Sequence, residues 1–404
     1  MSAAYYQALV DRSWRRSGTL LYRPNQRDAC CPHYSLRIDS TRFRPTKDQR
    51  QAINRFNKYV VGGVYAQEAA RQHPKSREQA RKRDTEFNLT ERIHESERQS
   101  LKTPPQPAHS FDVTLETDNF TEEKYRVYEN YQRVVHQEPK EEISRSGFEK
   151  FLCNSPLRRE TLTMSDGREK RLGSYHQCYR LDGQLVAIGV VDLLPDAVSA
   201  VYFLYHESVH HWSPGKLGAL REIALATEGG YRWWYPGFYI HTCPKMRYKM
   251  DYSHQQILNP ERMEWVDVSD EVLAKFDSHG YLDFESTKSD LVTDLKQQAC
   301  GDSDNDMKVE PDKQKSSGGS NRETSLLGSN MPGLSPIDDV LSYDYDNMPV
   351  RLKSGIFPAA DVFQWQNERE DILHGSGPRG QLAQMVAVIG IDLMPQLCLD
   401  IRGA

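Results

Sequence analysis

The stretch GSYHQCYRLDGQLVAIGVVDLLPDAVSAVYFLYHES, Gly173 to Ser208, carries the densest fold information in the chain. It reads as three successive strands, Tyr175–Leu181, Gln184–Leu193 and Ala197–Tyr205, rich in β-branched and aromatic residues. Asp182-Gly183 between the first two is a two-residue hairpin signal. Downstream, KLGALREIALATEGG places Leu217, Leu220, Ile223, Ala224 and Ala226 on one side of a helix that a Gly pair closes. A strand-like FYIHTCPKMRY follows, and from His241 every second residue is polar or charged: Cys243, Lys245, Arg247, Lys249, Asp251. A period of two puts the three cations on one face. An edge strand defended by charge and a pocket wall built for an anion both fit that pattern.

An antiparallel meander, a helix and a further strand are the order of an acetyltransferase-like (GNAT-type) mixed sheet in which one strand splays from its neighbour. That reading covers residues 111–268 as a catalytic domain. Residues 1–66 read as a small α/β domain: a helical YYQALVDRSWRRSG, a strand TLLYRP, a turn into Cys30-Cys31, a strand HYSLRID, and a helix capped by Thr46. Residues 67–110 are charged and polar (KSREQARKRD, then TPPQP) and read as a disordered insertion. Residues 269–335 form an acidic linker expected to be largely disordered, and 336–404 a small C-terminal appendage. The expected class is α+β with a partly disordered C-terminal extension.

A chain of 404 residues, 38% hydrophobic with 6 Trp and 21 Tyr, can bury a sizeable core. No apolar run approaches the roughly 18–20 residues of a membrane span, and the start lacks a secretory pattern. Seven Cys without a framework spacing suit a reducing compartment, so the expected location is the cytoplasm, with the nucleus second, and no membrane partner. Net charge is -5, but residues 1–60 hold 12 Lys or Arg against 4 Asp, and residues 266–404 hold 12 against 24 Asp or Glu. The front can face phosphates; the tail cannot.

Three local motifs need weighing. HESVH, His206 to His210, matches the H-E-x-x-H zinc-peptidase pattern with Glu228 downstream. Against a metallopeptidase, VYFLY runs as a strand straight into His206, and Pro214-Gly215 ends any helix within about two turns. SPGKLGALREI sets Gly215 and Gly218 at a helix start, where backbone N–H groups receive an oxyanion or a phosphate. As the pyrophosphate loop of an acyl-CoA N-acetyltransferase it is degenerate. Cys30-Cys31 are two thiols short of a closed four-thiolate site.

DRSWRRSG, the Cys doublet, SGFEKFLC, GKLGALREIAL and YIHTCPKMRYK, in that order, resemble the eukaryotic, fungal-type arginyl-tRNA-protein transferases over roughly residues 5–265, interrupted at 67–107. The resemblance implies an aminoacyltransferase. Such enzymes move arginine from arginyl-tRNA to the N-terminal α-amine of proteins starting with Asp, Glu or oxidised Cys. Their products feed the N-degron pathway and its ubiquitin ligase. Family members also carry an upstream Cys-x-x-Cys pair that, with the doublet, forms an iron–sulfur or zinc site. This chain starts after the place of that pair, which leaves Cys30 and Cys31 as an incomplete metal site. The alternative is a non-catalytic module that binds acidic N-termini or tRNA.

The ester of an aminoacyl-tRNA is already activated, so the chemistry requires no cofactor, and the protein chiefly aligns an amine with a carbonyl. Gly215 and Lys216 at the helix start are candidates for holding the oxyanion, and His241 for a weak base. Asp192 or Glu222 could pair with the arginyl guanidinium. Lys245, Arg247 and Lys249, with Tyr248 and His241, face the acceptor's acidic first residue. Arg12, Arg15, Arg16, Lys58 and Arg221 are the candidate phosphate contacts on tRNA.

Overall fold

The structure, a computed structural model, describes residues 1–278, 281–282, 325–363, 372, 375 and 377–402. The expected disorder over 269–335 falls mostly on 283–324, outside the described residues. The three strands of the opening stretch form as Glu169–Leu181, Gln184–Leu193 and Ala197–Tyr205, antiparallel to one another. Asp182 and Gly183 both take positive φ, 51° and 79°, the twist a tight hairpin between twisted strands needs. These strands belong to a ten-stranded sheet whose main path runs Glu264–Asp267, Gln255–Asn259, Tyr34–Asp39, Trp233–Tyr235, Ala197–Tyr205, Gln184–Leu193, Glu169–Leu181, Phe111–Thr117. Tyr34–Asp39 thus lies inside the main sheet, whereas Arg15–Ser17 and Leu20–Tyr22 form a two-stranded sheet of their own.

One pairing in this sheet is parallel: Ala197–Tyr205 beside Trp233–Tyr235, joined by the helix Pro214–Glu228. It lasts for three register pairs, Ala197 to Ser199 against Trp233 to Tyr235. Past Gly237 (φ 86°) the chain continues as Phe238–Tyr239 along Tyr34 and Ser35, while Ala200–Tyr205 stays with Gln184–Leu193. The two neighbours therefore part and leave a notch. Helix Glu122–Val134 covers one face of the sheet, with Tyr125, Tyr128 and Tyr131 on Ile188, Val190 and Leu204. Helix Pro214–Glu228 covers the other through Leu220, Ile223 and Ala224. Helix Lys47–Val61, opened by a reciprocal Thr46–Gln49 capping box, packs beside it.

Two expectations are corrected. The charged insertion is helical over Gly63–Gln72, Arg77–Thr85 and Leu89–Ile93. Its polar residues are its anchors: Asn57 Nδ2 donates to Arg92 O at 2.7 Å, Glu97 pairs with Arg221, and His94 bridges Glu97 (3.0 Å) and Glu228 (2.7 Å). The cationic stretch is a strand only at Phe238–Tyr239, and Pro244–Asp251 is a run of 3-10 turns. Pro244 occupies the first turn, where its missing N–H costs nothing and its fixed φ favours helical geometry.

Beyond Asp270–Ser278, the described C-terminal residues form helices at Ile337–Ser342 and Gly377–Ile389 and a small three-stranded sheet. They dock on the front of the chain. Arg12 donates to Ile389 O at 2.8 Å and pairs with Asp392, and Arg23 donates to Pro332 O (2.6 Å) and Val388 O (3.0 Å).

Hydrogen bonds donated by the His94 ring to Glu228 and Glu97 raise its pKa from 6.5 to about 9. A raised folded-state value stabilises fully below pH 6.5 and is lost as pH rises through about 9. His94→Gln should therefore cost about 1 kcal/mol near pH 6, a figure moderated by solvent screening, and almost nothing near pH 10. Urea unfolding of both proteins at the two pH values checks this.

Candidate functional site

Helix Pro214–Glu228 begins after Ser213, which is left-handed (φ 57°, ψ 56°) and gives no side-chain cap. Gly215 is exposed in its first turn, and Lys216 pairs with Asp48, tying together the starts of two helices. Pro214, Leu217, Gly218 and Arg221 form a stripe at helical spacing along a cavity of about 50 Å³, with Phe56 and Trp212 also in its wall. Gly218 packs directly on the Phe203 ring, so any Cβ there would collide with it.

Glu222 follows the end of that stripe. It is 2% exposed, and its Oε2 accepts from Trp234 Nε1 at 2.8 Å. Its Oε1 lies 3.2 Å from where a Cβ would stand on Gly189, so a strand residue without a side chain makes room for it. Among the described residues no cation pairs with it. Burial raises its pKa to about 7, against the pull of the Trp234 hydrogen bond.

The 3-10 segment meets the same end of the helix. Tyr252 is buried with its ring 5.3 Å from Trp234, and exposed Tyr248 lies 6.5 Å from Tyr252. Burial, then Tyr248, then the charges of Glu222, Asp251 and Asp48 all drive the Tyr252 phenol upward. Lys249 folds inward, its Nζ donating to Phe238 O at 2.6 Å, while Lys245 and Arg247 stay exposed. His241 joins a different cluster: its Nδ1 meets Tyr239 OH at 2.8 Å and its ring stacks on Phe276 at 5.1 Å.

Other expected site residues are committed elsewhere. Asp192 points to the opposite face from Gly189 and Glu222, where Arg16 grips both oxygens at 2.7 and 2.8 Å and also donates to Ser174 Oγ at 2.9 Å. Both side chains are fully buried, so Asp192 has no vacancy for a guanidinium and Arg16 meets no phosphate. Arg15 is buried over the Phe238 ring (5.0 Å), with Nη1 donating to Trp14 O at 2.7 Å. Arg221 is buried against Glu97, and Arg12 is held by the C-terminal segment. Of the five cations assigned to phosphate, Lys58 is the exposed one.

HESVH forms 3-10 turns rather than the α-turn that would align two His. In it His206 Nδ1 bonds Ser208 Oγ at 3.0 Å and His210 Nδ1 meets Tyr205 OH at 3.1 Å. Cys30 and Cys31 sit with sulfurs 3.6 Å apart, and the described residues bring no third donor to them. The pair alone does not fit a closed metal site.

Sequence reading missed Trp234, Tyr252 and Gly189. The lone Gly in the apolar strand AIGVV was the available signal, since a strand glycine marks a close approach.

A buried carboxyl that no cation pairs with among the described residues, on a helix whose first turn exposes Gly215, is an arrangement able to hold a cationic group. Residues 1–51 match the family described as Arginine-tRNA-protein transferase, N terminus, and residues 123–259 match Arginine-tRNA-protein transferase, C terminus. Arginyl-tRNA–protein transferase 1 of Saccharomyces cerevisiae is 30% identical over 268 residues, covering 63% of this chain and 48% of that protein. Its Drosophila melanogaster namesake is 27% identical over 380 residues, covering 68% and 78%. Aspartate/glutamate leucyltransferase of Pseudomonas fluorescens is 27% identical over 269 residues, covering 66% and 84%. Among solved structures, that of L-PGS from Bacillus licheniformis covers 52% of this chain and 45% of its own at 10% identity and a TM-score of 0.29, too slight a likeness to name a fold. Over residues 1–51 and 123–259 the chain is similar to the arginine-tRNA-protein transferase family. It spans about half the length of the yeast relative.

Because Arg16 and Asp192 neutralise each other out of reach of water, removing one partner strands a charge. Arg16→Met should lower unfolding free energy by about 3–5 kcal/mol, and adding Asp192→Leu should restore most of it. Guanidinium-chloride titration of the single and double variants measures this.

Proposed function

We propose that this chain is an arginyltransferase, moving arginine from arginyl-tRNA to the N-terminal α-amine of proteins that begin with Asp, Glu or oxidised Cys. Its products would feed the N-degron pathway and its ubiquitin ligase. The observation that carries the reading is Glu222, a buried carboxyl with one hydrogen bond and no cation, within the family-matched segment. An arriving guanidinium supplies the missing counter-ion in bidentate geometry and draws the carboxyl into its ionised form. Of the two carboxylates expected to serve, Glu222 alone has that vacancy. The parted strands favour an acetyltransferase-like architecture for the catalytic region.

With arginine so anchored, its ester carbonyl lies back toward the helix start. An α-amine of pKa near 7.7–8.0 is about a tenth neutral at pH 7, a shortage worth only ~1.4 kcal/mol. The neutral amine attacks the carbonyl carbon, a C–N bond forms, and the carbonyl electrons move to oxygen. Exposed backbone at Gly215 stabilises that oxyanion. Collapse breaks the C–O ester bond, and the amine's proton goes to the departing ribose oxygen, so no protein nucleophile is consumed. Lys245 and Arg247, with the exposed Tyr248 next in sequence, receive the acceptor's acidic side chain at the mouth.

Glu222→Gln separates function from stability. Loss of a charge-assisted pair worth about 1.5–3 kcal/mol should cut arginine transfer roughly 10- to 150-fold. A carboxyl pKa raised from 4.5 to about 7 makes the parent lose stability as pH rises through that window. The Gln variant should therefore be more stable than the parent near pH 8, by roughly 3 kcal/mol, and not near pH 4. Labelled-arginine transfer and unfolding at both pH values test this, and unchanged transfer would sink the role of Glu222. In the same assay, Lys245→Ala with Arg247→Ala should lose most of the preference for peptides starting with Asp over Ala.

A further inference from the structure

Four rings form a column beside the start of helix Pro214–Glu228. His109 and Tyr59 are 4.4 Å apart at 31°, Tyr59 and Trp212 4.5 Å at 29°, and Trp212 and His211 4.6 Å at 48°. Three separate segments contribute: helix Lys47–Val61, the approach to strand Phe111–Thr117, and the turn before Pro214. His211 is exposed and the other three rings are half-buried, so the column can offer a stacking face only at its end rings, with Tyr59 and Trp212 holding those ends in place. Arg55 and Lys58, both exposed, stand on the same helix as Tyr59, and among the described residues neither forms an ion pair.

Trp212 also lines the cavity that runs along the helix stripe to Arg221, the residue before Glu222. From Pro214 to Glu222 the helix rises about 12 Å. A terminal adenosine bearing an esterified arginine is long enough to reach from a base on the column to a guanidinium at Glu222.

We propose that the His109–Tyr59–Trp212–His211 column receives the unpaired 3′-terminal bases of the aminoacyl-tRNA by stacking, with Arg55 and Lys58 on the adjoining phosphates. Every base has a π-face, so the platform needs no base-specific hydrogen bond, which suits an end that all tRNAs share. The positive side chains add a salt-dependent, sequence-independent contribution. The inference rests on the arginyltransferase reading and adds where the donor's single-stranded end lies.

The test uses the full chain and an uncharged hairpin RNA with a single-stranded CCA 3′ end, compared with the same hairpin trimmed blunt. Fluorescence anisotropy should show the tailed RNA binding roughly 5- to 150-fold more tightly, the range for stacking one base. Tyr59→Leu and Trp212→Leu should erase that difference and leave blunt-hairpin affinity unchanged, whereas Tyr59→Phe should keep it. His211→Ala, at an exposed position, should reduce it partially and guards against misfolding of the Trp212 variant. Lys58→Ala should weaken both RNAs alike. A tail preference that survives in folded Tyr59→Leu, or its absence from the parent, overturns the proposal. Binding and transfer are read separately: tail preference without any arginine transfer refutes the transferase reading alone, and transfer indifferent to Tyr59 and Trp212 refutes the column alone.

Discussion

A carboxyl buried under the Pro214–Glu228 helix with one hydrogen bond and no cation costs the fold stability, and its surroundings are arranged to keep it there. Gly189 gives it space in the strand below, and Trp234 supplies its donor from within the short stretch over which the parallel strands stay paired. Tyr252 covers it from the 3-10 segment. Each comes from a different element, so the mixed sheet, the crossover helix and the turn after Cys243 all serve one position. The other face of the same sheet shows the contrasting solution. There Asp192 is as deeply buried, but Arg16 answers it with two hydrogen bonds, and the pair is closed to ligands. Two buried carboxyls in one sheet thus differ in their partners: Asp192 is answered by a guanidinium, and Glu222 has no cation among the described residues.

Periodicity made the centre of the fold legible. Gln184–Leu193 and Ala197–Tyr205 form with the boundaries the sequence implies, because apolar β-branched runs and an Asp-Gly turn agree with each other. Periodicity failed where the repeating residues were polar. Alternation from His241 to Asp251 mimics a strand, yet Pro244 starts helical turns, and Lys249 turns inward while Lys245 and Arg247 stay out. Residues 67–110 looked solvated because their contacts are ionic, and a sequence shows charges without showing their partners. His94, Glu97, Arg221 and Glu228 lock that region onto helix Pro214–Glu228.

The same blindness governed the cations at the front of the chain. Arg12, Arg15 and Arg16 read as a phosphate-facing cluster, but one meets the C-terminal segment, one stacks on aromatic rings, and one neutralises Asp192. Burial lowers the pKa of Arg23 to about 10, with Arg12 contributing, while carbonyls of the C-terminal segment take its hydrogen bonds. The opposition of basic front and acidic tail is thus partly satisfied within the chain. Of the five cations first assigned to phosphate, Lys58 is the exposed one, on helix Lys47–Val61 next to Tyr59 of the aromatic column.

In the proposed arginyltransferase, Glu222 is held partly protonated until a guanidinium arrives. Calorimetric binding of N-acetyl-arginine amide, repeated in buffers of different ionisation enthalpy, counts the protons released. A carboxyl of pKa about 7 predicts release of about half a proton per site near pH 7, falling to none near pH 9, with no release from Glu222→Gln. Binding with no proton release at pH 7, or equal release from Glu222→Gln, would contradict the account.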